Sequence, residues 1–287
     1  MSRRGNPASP DSYSHFRRVG GLLRHARVYP CTDSDVRPSR AQPIVILPGL
    51  GCAAWMYRRL ARRLAPEREV WAYDHPGMGL SQASLRDPLR IEQLTDHLAA
   101  WMLARDFVGV PVLGHSLGGE VAIDLAARYP QLPSCLILCA PTGIPENPSV
   151  TAQLIRFAFD APGERLGLYP LAAAAYLRTG PRAFWLAHDQ DVHQTGPLIS
   201  QVKCPALVID GTRDPVIRAW TLAIMCERLP RARALTVLGG THAIMDSRPQ
   251  EVADQTLHFL QDVASGQFAN CHSGSGHSEA EGIADSC

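Results

Sequence analysis

Gly114-His115-Ser116-Leu117-Gly118-Gly119 follows an apolar run, Val110 to Leu113, and opens a segment that is predicted to be helical, Leu117 to Tyr129. A serine between two glycines at such a strand-to-helix corner stands above the sheet, because the glycines allow a sharp turn and a close approach of helix and strand. Ser116 is therefore a candidate nucleophile. The backbone N–H of Leu117, in the first turn of the helix, is a candidate donor to a developing oxyanion.

An acid and a histidine follow the serine along the chain, each after another strand-like run. Asp214 lies in the loop after the run Ala206 to Ile209, and His242 comes shortly after the run Ala234 to Leu238. The order serine, acid, histidine, with each residue beyond a strand end, is the order that this strand–turn–helix architecture requires. Asp210 ends the same strand that precedes Asp214, so it competes for the role of the acid.

With these three motifs in place, the chain resembles the α/β-hydrolase superfamily from about residue 43 to about residue 262. Two further passages match the family pattern: Leu47-Pro48-Gly49-Leu50-Gly51, and Asp74-His75-Pro76-Gly77-Met78-Gly79-Leu80-Ser81. In the first of them, Pro48-Gly49 stands where many members have His-Gly. The resemblance implies these roles: nucleophile Ser116, acid Asp214, base His242, and an oxyanion hole formed by the amides of Leu50 and Leu117.

Short apolar runs alternate with helix-like stretches after residue 43. The runs do not alternate between apolar and polar residues, which is typical of strands that are covered on both faces. They are Ile44 to Leu47, Val70 to Tyr73, Val110 to Leu113, Cys135 to Cys139, Ala206 to Ile209 and Ala234 to Leu238. The pattern predicts an α/β fold, a mostly parallel sheet flanked by helices, with ligands at the carboxyl ends of the strands. A strand pair is expected between Leu22 and Pro43, with a turn at 32–35.

The interval between Cys139 and Ala206 is far longer than a simple crossover needs. It contains three helix-like pieces, Val150 to Phe159, Leu171 to Arg178 and Ala183 to His188. We interpret residues 143–198 as a helical cap inserted over the site, which divides the hydrolase core into 17–142 and 199–264. Several aromatic side chains of this cap either line a pocket or pack on the core; the candidates for contact with substrate are Trp185, Phe157 and Tyr176.

The two ends of the chain, 1–16 and 265–287, are polar and show neither helical nor strand periodicity, which predicts disorder. The N-terminal segment lacks the apolar region of a secretory signal. No segment reaches the roughly 20 uninterrupted apolar residues that a bilayer-spanning helix needs. We therefore expect a cytoplasmic protein without a membrane span.

The net charge and the spacing of the cysteines indicate which classes of partner and cofactor to expect. The formal net charge is +1, so the chain offers no overall basic field for nucleic acid or anionic membranes. A small-molecule substrate is the expected partner, and the sequence leaves the oligomeric state open. The eight cysteines show no metal-ligand spacing, and we expect neither a metal nor another cofactor.

These features favour a serine hydrolase that cleaves a carboxylic ester of a small or medium hydrophobic substrate through an acyl-enzyme. The same three residues would also serve a lactonase, a thioesterase or a hydrolase of carbon–carbon bonds. A non-catalytic small-molecule-binding protein on the same scaffold is the alternative from another class. His115, although next to the nucleophile, is expected to point away from the site.

Overall fold

The computed structural model describes residues 11–32, 42–84, 90–144, 149, 152, 163–193, 195–217 and 220–268. Within these residues the chain forms a sheet of eight strands in the order β1-β2-β4-β3-β5-β6-β7-β8. The pairs β1·β2 and β2·β4 are antiparallel, and every other neighbouring pair is parallel. The predicted α/β fold with a mostly parallel sheet is confirmed.

The two N-terminal strands form a hairpin at one edge of the sheet. β1 (Tyr13–Val19) pairs with β2 (Leu22–Tyr29) around Gly20-Gly21, and both glycines have positive φ angles, as a two-residue hairpin turn prefers. The predicted disordered segment 1–16 therefore extends four residues too far. The residues of β1 are mostly exposed, so backbone hydrogen bonds to β2, and not burial, keep this strand in place. The turn predicted at 32–35 lies mostly outside the described residues.

The remaining strands are β3 (Ile44–Leu47), β4 (Val70–Tyr73), β5 (Val110–His115), β6 (Pro133–Cys139), β7 (Ala206–Gly211) and β8 (Ala232–Val237). Every residue of β3, β4, β5 and β7 is buried, because helices cover both faces of the sheet. In β8, at the opposite edge from the hairpin, buried positions are interspersed with exposed ones. The apolar runs thus mark the centre of the sheet.

In the described ranges the α-helices are, in chain order, α1 (Arg58–Leu64), α2 (Ile91–Leu103), α3 (Leu117–Arg128), α4 (Tyr169–Thr179), α5 (Arg182–Val192), α6 (Gly196–Ile199), α7 (Thr221–Arg228), α8 (Ile244–Ser247) and α9 (Pro249–Ser265). Apolar residues of α2, α3 and α7 form one core with one face of the sheet, and those of α1, α8 and α9 form a second core with the other face. In α2, Ile91, Leu94, Leu98 and Trp101 recur at helical spacing and are all buried. None of the helices in the described ranges is long and apolar enough to cross a membrane.

The C-terminal helix α9 reaches Ser265, the first residue of the predicted disordered tail. Gly266 adopts the left-handed conformation after the last turn of α9, and its N–H donates to carbonyls of that turn. Phe268 then packs against Phe259 of α9, with ring centroids 5.5 Å apart. The predicted disordered tail 265–287 is therefore wrong for residues 265–268, because one aromatic residue returns to the core. Residues 269–287 lie outside the described residues.

Helices α4, α5 and α6 lie between β6 and β7, and the predicted helical pieces Leu171 to Arg178 and Ala183 to His188 fall within α4 and α5. The piece Val150 to Phe159 lies outside the described residues apart from Ala152. α4 lies against loops that follow β3 and β4. The Trp55 indole N–H donates to the carbonyl of Leu171 at 3.2 Å, and Arg178 Nε donates to the carbonyl of Gly79 at 2.7 Å.

Candidate active site

Ser116 occupies a sharp turn between β5 and α3. Its φ angle is 52° and its ψ angle is −119°, a conformation that costs energy for a residue with a side chain. Two glycines make the turn possible: a Cβ at Gly114 would lie 2.3 Å from the carbonyl oxygen of Gly118, and a Cβ at Gly118 would lie 2.2 Å from the carbonyl oxygen of Leu47. The close approach of helix and strand that the motif predicts is therefore present.

The structure brings Ser116, His242 and Asp214 together beyond the carboxyl ends of β5, β8 and β7. His242 Nε2 lies 3.2 Å from Ser116 Oγ, and His242 Nδ1 lies 2.9 Å from Asp214 Oδ2. Ionised Asp214 can only accept, so Nδ1 carries the proton and Nε2 is left to accept the hydroxyl proton of Ser116. Ser116 and His242 are only 8% and 7% exposed, and both line a cavity.

Asp214 is held by two backbone groups as well as by the histidine. Its Oδ1 accepts hydrogen bonds from the amides of Val216 at 2.8 Å and Ile217 at 3.0 Å. Burial alone would raise the pKa of Asp214, but the charge and hydrogen bond of His242 outweigh burial and lower it. Asp210 differs: burial raises its pKa, and its side chain bonds to Thr236. The structure therefore places Asp214 on Nδ1 of His242.

The two amides assigned to the oxyanion hole belong to Leu117, next to the serine in the chain, and to Leu50. Leu117 is the first residue of α3, so its N–H has no acceptor within the helix. Leu50 lies in the loop after β3 and lines the cavity together with Gly49. The amide of Gly49 donates to Tyr57 Oη at 2.8 Å, which fixes the loop beside Leu50. The oxyanion role of both amides stays a prediction.

His115 does not point away from the site, contrary to the expectation from sequence. It is buried and lines the cavity, with its Nδ1 2.8 Å from Tyr57 Oη and its Nε2 3.1 Å from the carbonyl oxygen of His242. Burial lowers the pKa of His115 to about 3, so the ring is neutral. The carbonyl needs a donor, so Nε2 carries the single proton and Nδ1 accepts from Tyr57. Nothing in the sequence around Tyr57 signals this contact.

The cavity beside Ser116 and His242 has mostly apolar walls. Its apolar lining consists of Leu50, Met56, Leu168, Ala172, Tyr176, Val216, Ala243 and Met245. Tyr176 therefore lines the cavity, and its contact with substrate stays a prediction. Trp185 is 63% exposed and is absent from the described residues of the lining, because its position on α5 faces solvent. Phe157 lies outside the described residues.

A model of the family described as "Alpha/beta hydrolase family" matches residues 44–255. The chain belongs to the α/β-hydrolase family. The match spans well over half of the chain, from β3 into α9. The family predicted from the serine, acid and histidine motifs is confirmed, and with it the assignment of this α/β-hydrolase as an enzyme.

Two of the relatives with curated names are a depolymerase and a protein provisionally named a carbamate hydrolase. The α/β-hydrolase is 26% identical over 250 residues to a poly(3-hydroxyalkanoate) depolymerase of Ectopseudomonas oleovorans, covering 79% of this chain and 87% of that protein. It is 33% identical over 257 residues to a Pantoea ananatis protein provisionally named carbamate hydrolase RutD, covering 78% and 90%. Among solved structures, the enol-lactonase from Burkholderia xenovorans LB400 has a TM-score of 0.71 at 23% identity, covering 86% and 100%, which shows the shared fold.

One part of the cavity wall of this α/β-hydrolase is polar. Thr142, after β6, and Gln190, on α5, both line the cavity, and both bond to the buried carboxylate of Glu120 in the first turn of α3. Thr142 Oγ1 and Gln190 Nε2 lie 3.2 and 3.1 Å from Glu120 Oε2. Gln190 Nε2 also lies 2.9 Å from Thr142 Oγ1. No local pattern in the sequence signals this cluster, because Asp124 of α3 is charged and buried as well.

The other oxygen of Glu120 is paired with His193, at the end of α5. His193 Nδ1 lies 2.8 Å from Glu120 Oε1. Burial raises the pKa of Glu120. Burial acts to lower the pKa of His193, but the hydrogen bond and charge of Glu120 outweigh burial, so that pKa is raised. Glu120 therefore ties the segment between β6 and β7 to the helix that follows the serine.

Proposed function

We propose that this α/β-hydrolase is a serine hydrolase that cleaves a carboxylic ester of a small or medium hydrophobic substrate through an acyl-enzyme. The observation that carries the proposal is the continuous hydrogen-bonded chain from Ser116 Oγ through His242 to Asp214, which opens into an apolar cavity. A serine hydroxyl is a weak nucleophile at neutral pH, and this chain supplies both the base and the group that orients the base.

In the first half of the reaction, Ser116 Oγ attacks the ester carbonyl carbon while His242 Nε2 takes the hydroxyl proton. The carbonyl oxygen becomes an oxyanion that accepts hydrogen bonds from the amides of Leu50 and Leu117, each worth roughly a hundredfold to a thousandfold in rate. The tetrahedral intermediate then collapses. The bond to the alcohol oxygen breaks, and the alcohol leaves with the proton from Nε2.

In the second half, water attacks the acyl group on Ser116 and gives a proton to His242 Nε2. The second tetrahedral intermediate breaks its bond to Ser116 Oγ, which recovers its proton from Nε2, and the carboxylic acid is released. Asp214 stays ionised throughout and stabilises the charged imidazole of His242. Its lowered pKa supports that role.

The cavity walls support a hydrophobic substrate. Apolar side chains from the loop after β3, from α4 and from the loop around α8 surround the serine, and burial of an apolar acyl chain there contributes about 0.8 kcal/mol per methylene. We assign residues 143–198 as a cap over this cavity, which is consistent with the contacts that α4 makes with the loops after β3 and β4. The depolymerase and the carbamate hydrolase among the relatives support hydrolysis at a carbonyl.

The decisive experiment is labelling of the folded protein with a fluorophosphonate, combined with assays on esters, thioesters and lactones graded by chain length. We expect stoichiometric labelling that is lost in Ser116→Ala, and the highest kcat/KM for esters. Absence of labelling in well-folded protein would support a binding protein instead. Turnover of a vinylogous diketone, with no turnover of any ester, would move the assignment to the carbon–carbon hydrolases.

A further inference from the structure

We propose that Gln190 and Thr142 form a polar subsite that binds a hydroxyl or N–H group of the substrate, a few bonds away from the carbonyl that Ser116 attacks. The inference rests on the proposed function for the position of the scissile bond. These two side chains are polar, whereas apolar residues make up most of the same cavity wall.

The hydrogen bonds of Gln190 determine what it offers to a ligand. A primary amide has N–H donors on nitrogen and an acceptor on oxygen. Nε2 of Gln190 makes contacts with Glu120 Oε2 and with Thr142 Oγ1, and the carboxylate oxygen accepts. This fixes Nε2 as the end that faces Glu120. Within the described part of the chain, no hydrogen bond to the amide oxygen of Gln190 is present. Gln190 lines the cavity, so we assign Oε1 as the acceptor that it offers to a ligand.

The hydroxyl group of Thr142, like the amide oxygen of Gln190, can offer a ligand only an acceptor. Its Oγ1 donates to Glu120 Oε2 and accepts from Gln190 Nε2. Its remaining capacity is a lone pair on oxygen. Both residues therefore present acceptors, and the complementary substrate group is a donor. An apolar group at this position would remove water from Oε1 without supplying a donor, and an acceptor that is desolvated and unpaired disfavours binding.

The subsite lies close to the nucleophile. The backbone N–H of Thr142 donates to the carbonyl oxygen of Ser116 at 3.3 Å, and the N–H of Glu120 donates to the same oxygen at 3.3 Å. The anchor of the cluster is also rigid, because Glu120 is fully buried and His193 holds its other oxygen. A donor group a few bonds from the ester carbonyl is thus within the range of the cluster.

The test compares esters in matched pairs in which a methyl group replaces a hydroxyl group of similar size. The pairs are phenyl esters of 2-, 3- and 4-hydroxy acids with their methyl counterparts, and a 2-hydroxyethyl ester with the propyl ester of one acid. We expect wild-type kcat/KM to favour the hydroxyl member of at least one pair by about tenfold, the range of one neutral hydrogen bond. In Gln190→Met we expect this ratio to fall to about one, because the larger loss of kcat/KM falls on the hydroxyl member.

Gln201→Met is the matched control, because Gln201 is on the surface and bonds to the carbonyl of Pro197. It should keep the wild-type ratio. Equal kcat/KM within all four pairs in the wild type, or an unchanged ratio in Gln190→Met, would overturn the subsite. Equal losses on both members of a pair would assign Gln190 a purely structural role and would also overturn it.

Failure of the proposed function is recognised separately, as absence of turnover for every ester in the panel. In that case the subsite is tested by binding. Calorimetry of the free hydroxy and methyl acids on Ser116→Ala, and on the same variant with Gln190→Met added, should show tighter binding of the hydroxy acid to the first protein alone. Equal affinities of both acids for Ser116→Ala would reject the inference.

Discussion

His115 Nε2 donates a hydrogen bond to the backbone carbonyl of His242, at 3.1 Å. Through its other nitrogen, His115 accepts from Tyr57 Oη, which in turn accepts from the amide of Gly49. The backbone of the predicted base is thus tied to the loop that carries Leu50, a predicted oxyanion donor. We infer that the neutral ring of His115 sets the position of one part of the site relative to the other.

Tyr57→Phe tests this connection without changing the packing of the ring. The variant loses the hydrogen bonds to Gly49 and His115, so the oxyanion loop is held less accurately, and small misplacements of catalytic groups are costly. We expect kcat for a good ester to fall by about tenfold with KM unchanged. Steady-state kinetics beside a thermal unfolding curve checks this. A fall in stability with kcat intact would show that Tyr57 serves packing alone. Tyr29→Phe, in the core beneath α1, is the matched control.

Ser116→Ala and His242→Ala should each lower kcat by several orders of magnitude, on the order of the 10⁶-fold losses typical of such residues. Residual turnover then comes from the oxyanion hole and from binding alone. The double variant should lose little more than either single variant, because the two residues act as a unit. Additive losses, measured by single-turnover kinetics, would contradict a shared proton transfer.

Asp214→Asn and Asp210→Asn distinguish the two acids that the sequence leaves open. Asparagine at 214 cannot hold the proton of His242 on Nδ1 in the same way, so we expect a loss in kcat of about 10⁴-fold. Asparagine at 210 should cost less than tenfold, because Asp210 bonds to Thr236. The comparison is made on kcat/KM for one ester. A larger loss at position 210 would reassign the acid.

The pair of Glu120 and His193 predicts a pH dependence of stability. Both pKa values are raised in the folded state, from 4.5 and 6.5, so the folded protein holds these protons more tightly than the unfolded chain. That contribution is fully present at low pH and is lost as pH rises through the folded-state pKa values. Asp124 and Asp189 act on His193 in the same direction as Glu120.

We therefore expect the Tm difference between the wild type and His193→Gln to be largest below pH 6.5 and to shrink as pH rises above 6.5. Thermal unfolding scans at constant ionic strength measure it. His188→Gln, on an exposed position of α5, is the matched control and should show no comparable trend. A Tm difference that grows with pH would contradict the raised pKa values of Glu120 and His193 in the folded protein.

Cys52 lines the cavity but should not react as a nucleophile. Burial raises the pKa of its thiol to about 12, and the thiolate is the reactive form of cysteine. Iodoacetamide at pH 8 is therefore expected to leave ester hydrolysis intact in both the wild type and Cys52→Ser. Rapid inactivation of the wild type, with protection in Cys52→Ser, would run against this prediction.

Local patterns in the sequence predict most of the sheet. The six apolar runs fall within strands β3 to β8 except that Leu238 lies just past β8, and each of β5, β6, β7 and β8 extends two residues beyond its run at one end. Burial on both faces leaves such a local signal. Strand β1 leaves none, because hydrogen bonds to β2 hold its polar residues. Packing of Phe268 on Phe259 is likewise a contact that composition does not reveal.

The sequence by itself identifies the candidates Ser116, Asp214 and His242, because the apolar runs that mark strand ends and the glycines that mark turns are local patterns of a few residues. The choice of Asp214 over Asp210, the inward orientation of His115, and the cluster of Glu120, Thr142 and Gln190 come from tertiary packing. The contact between Asp214 and His242 joins residues 28 positions apart, and the contact between His115 and His242 joins residues 127 positions apart. Glu120 and Thr142 are 22 positions apart. Side-chain direction at such distances depends on how the elements pack, and no local spacing encodes it.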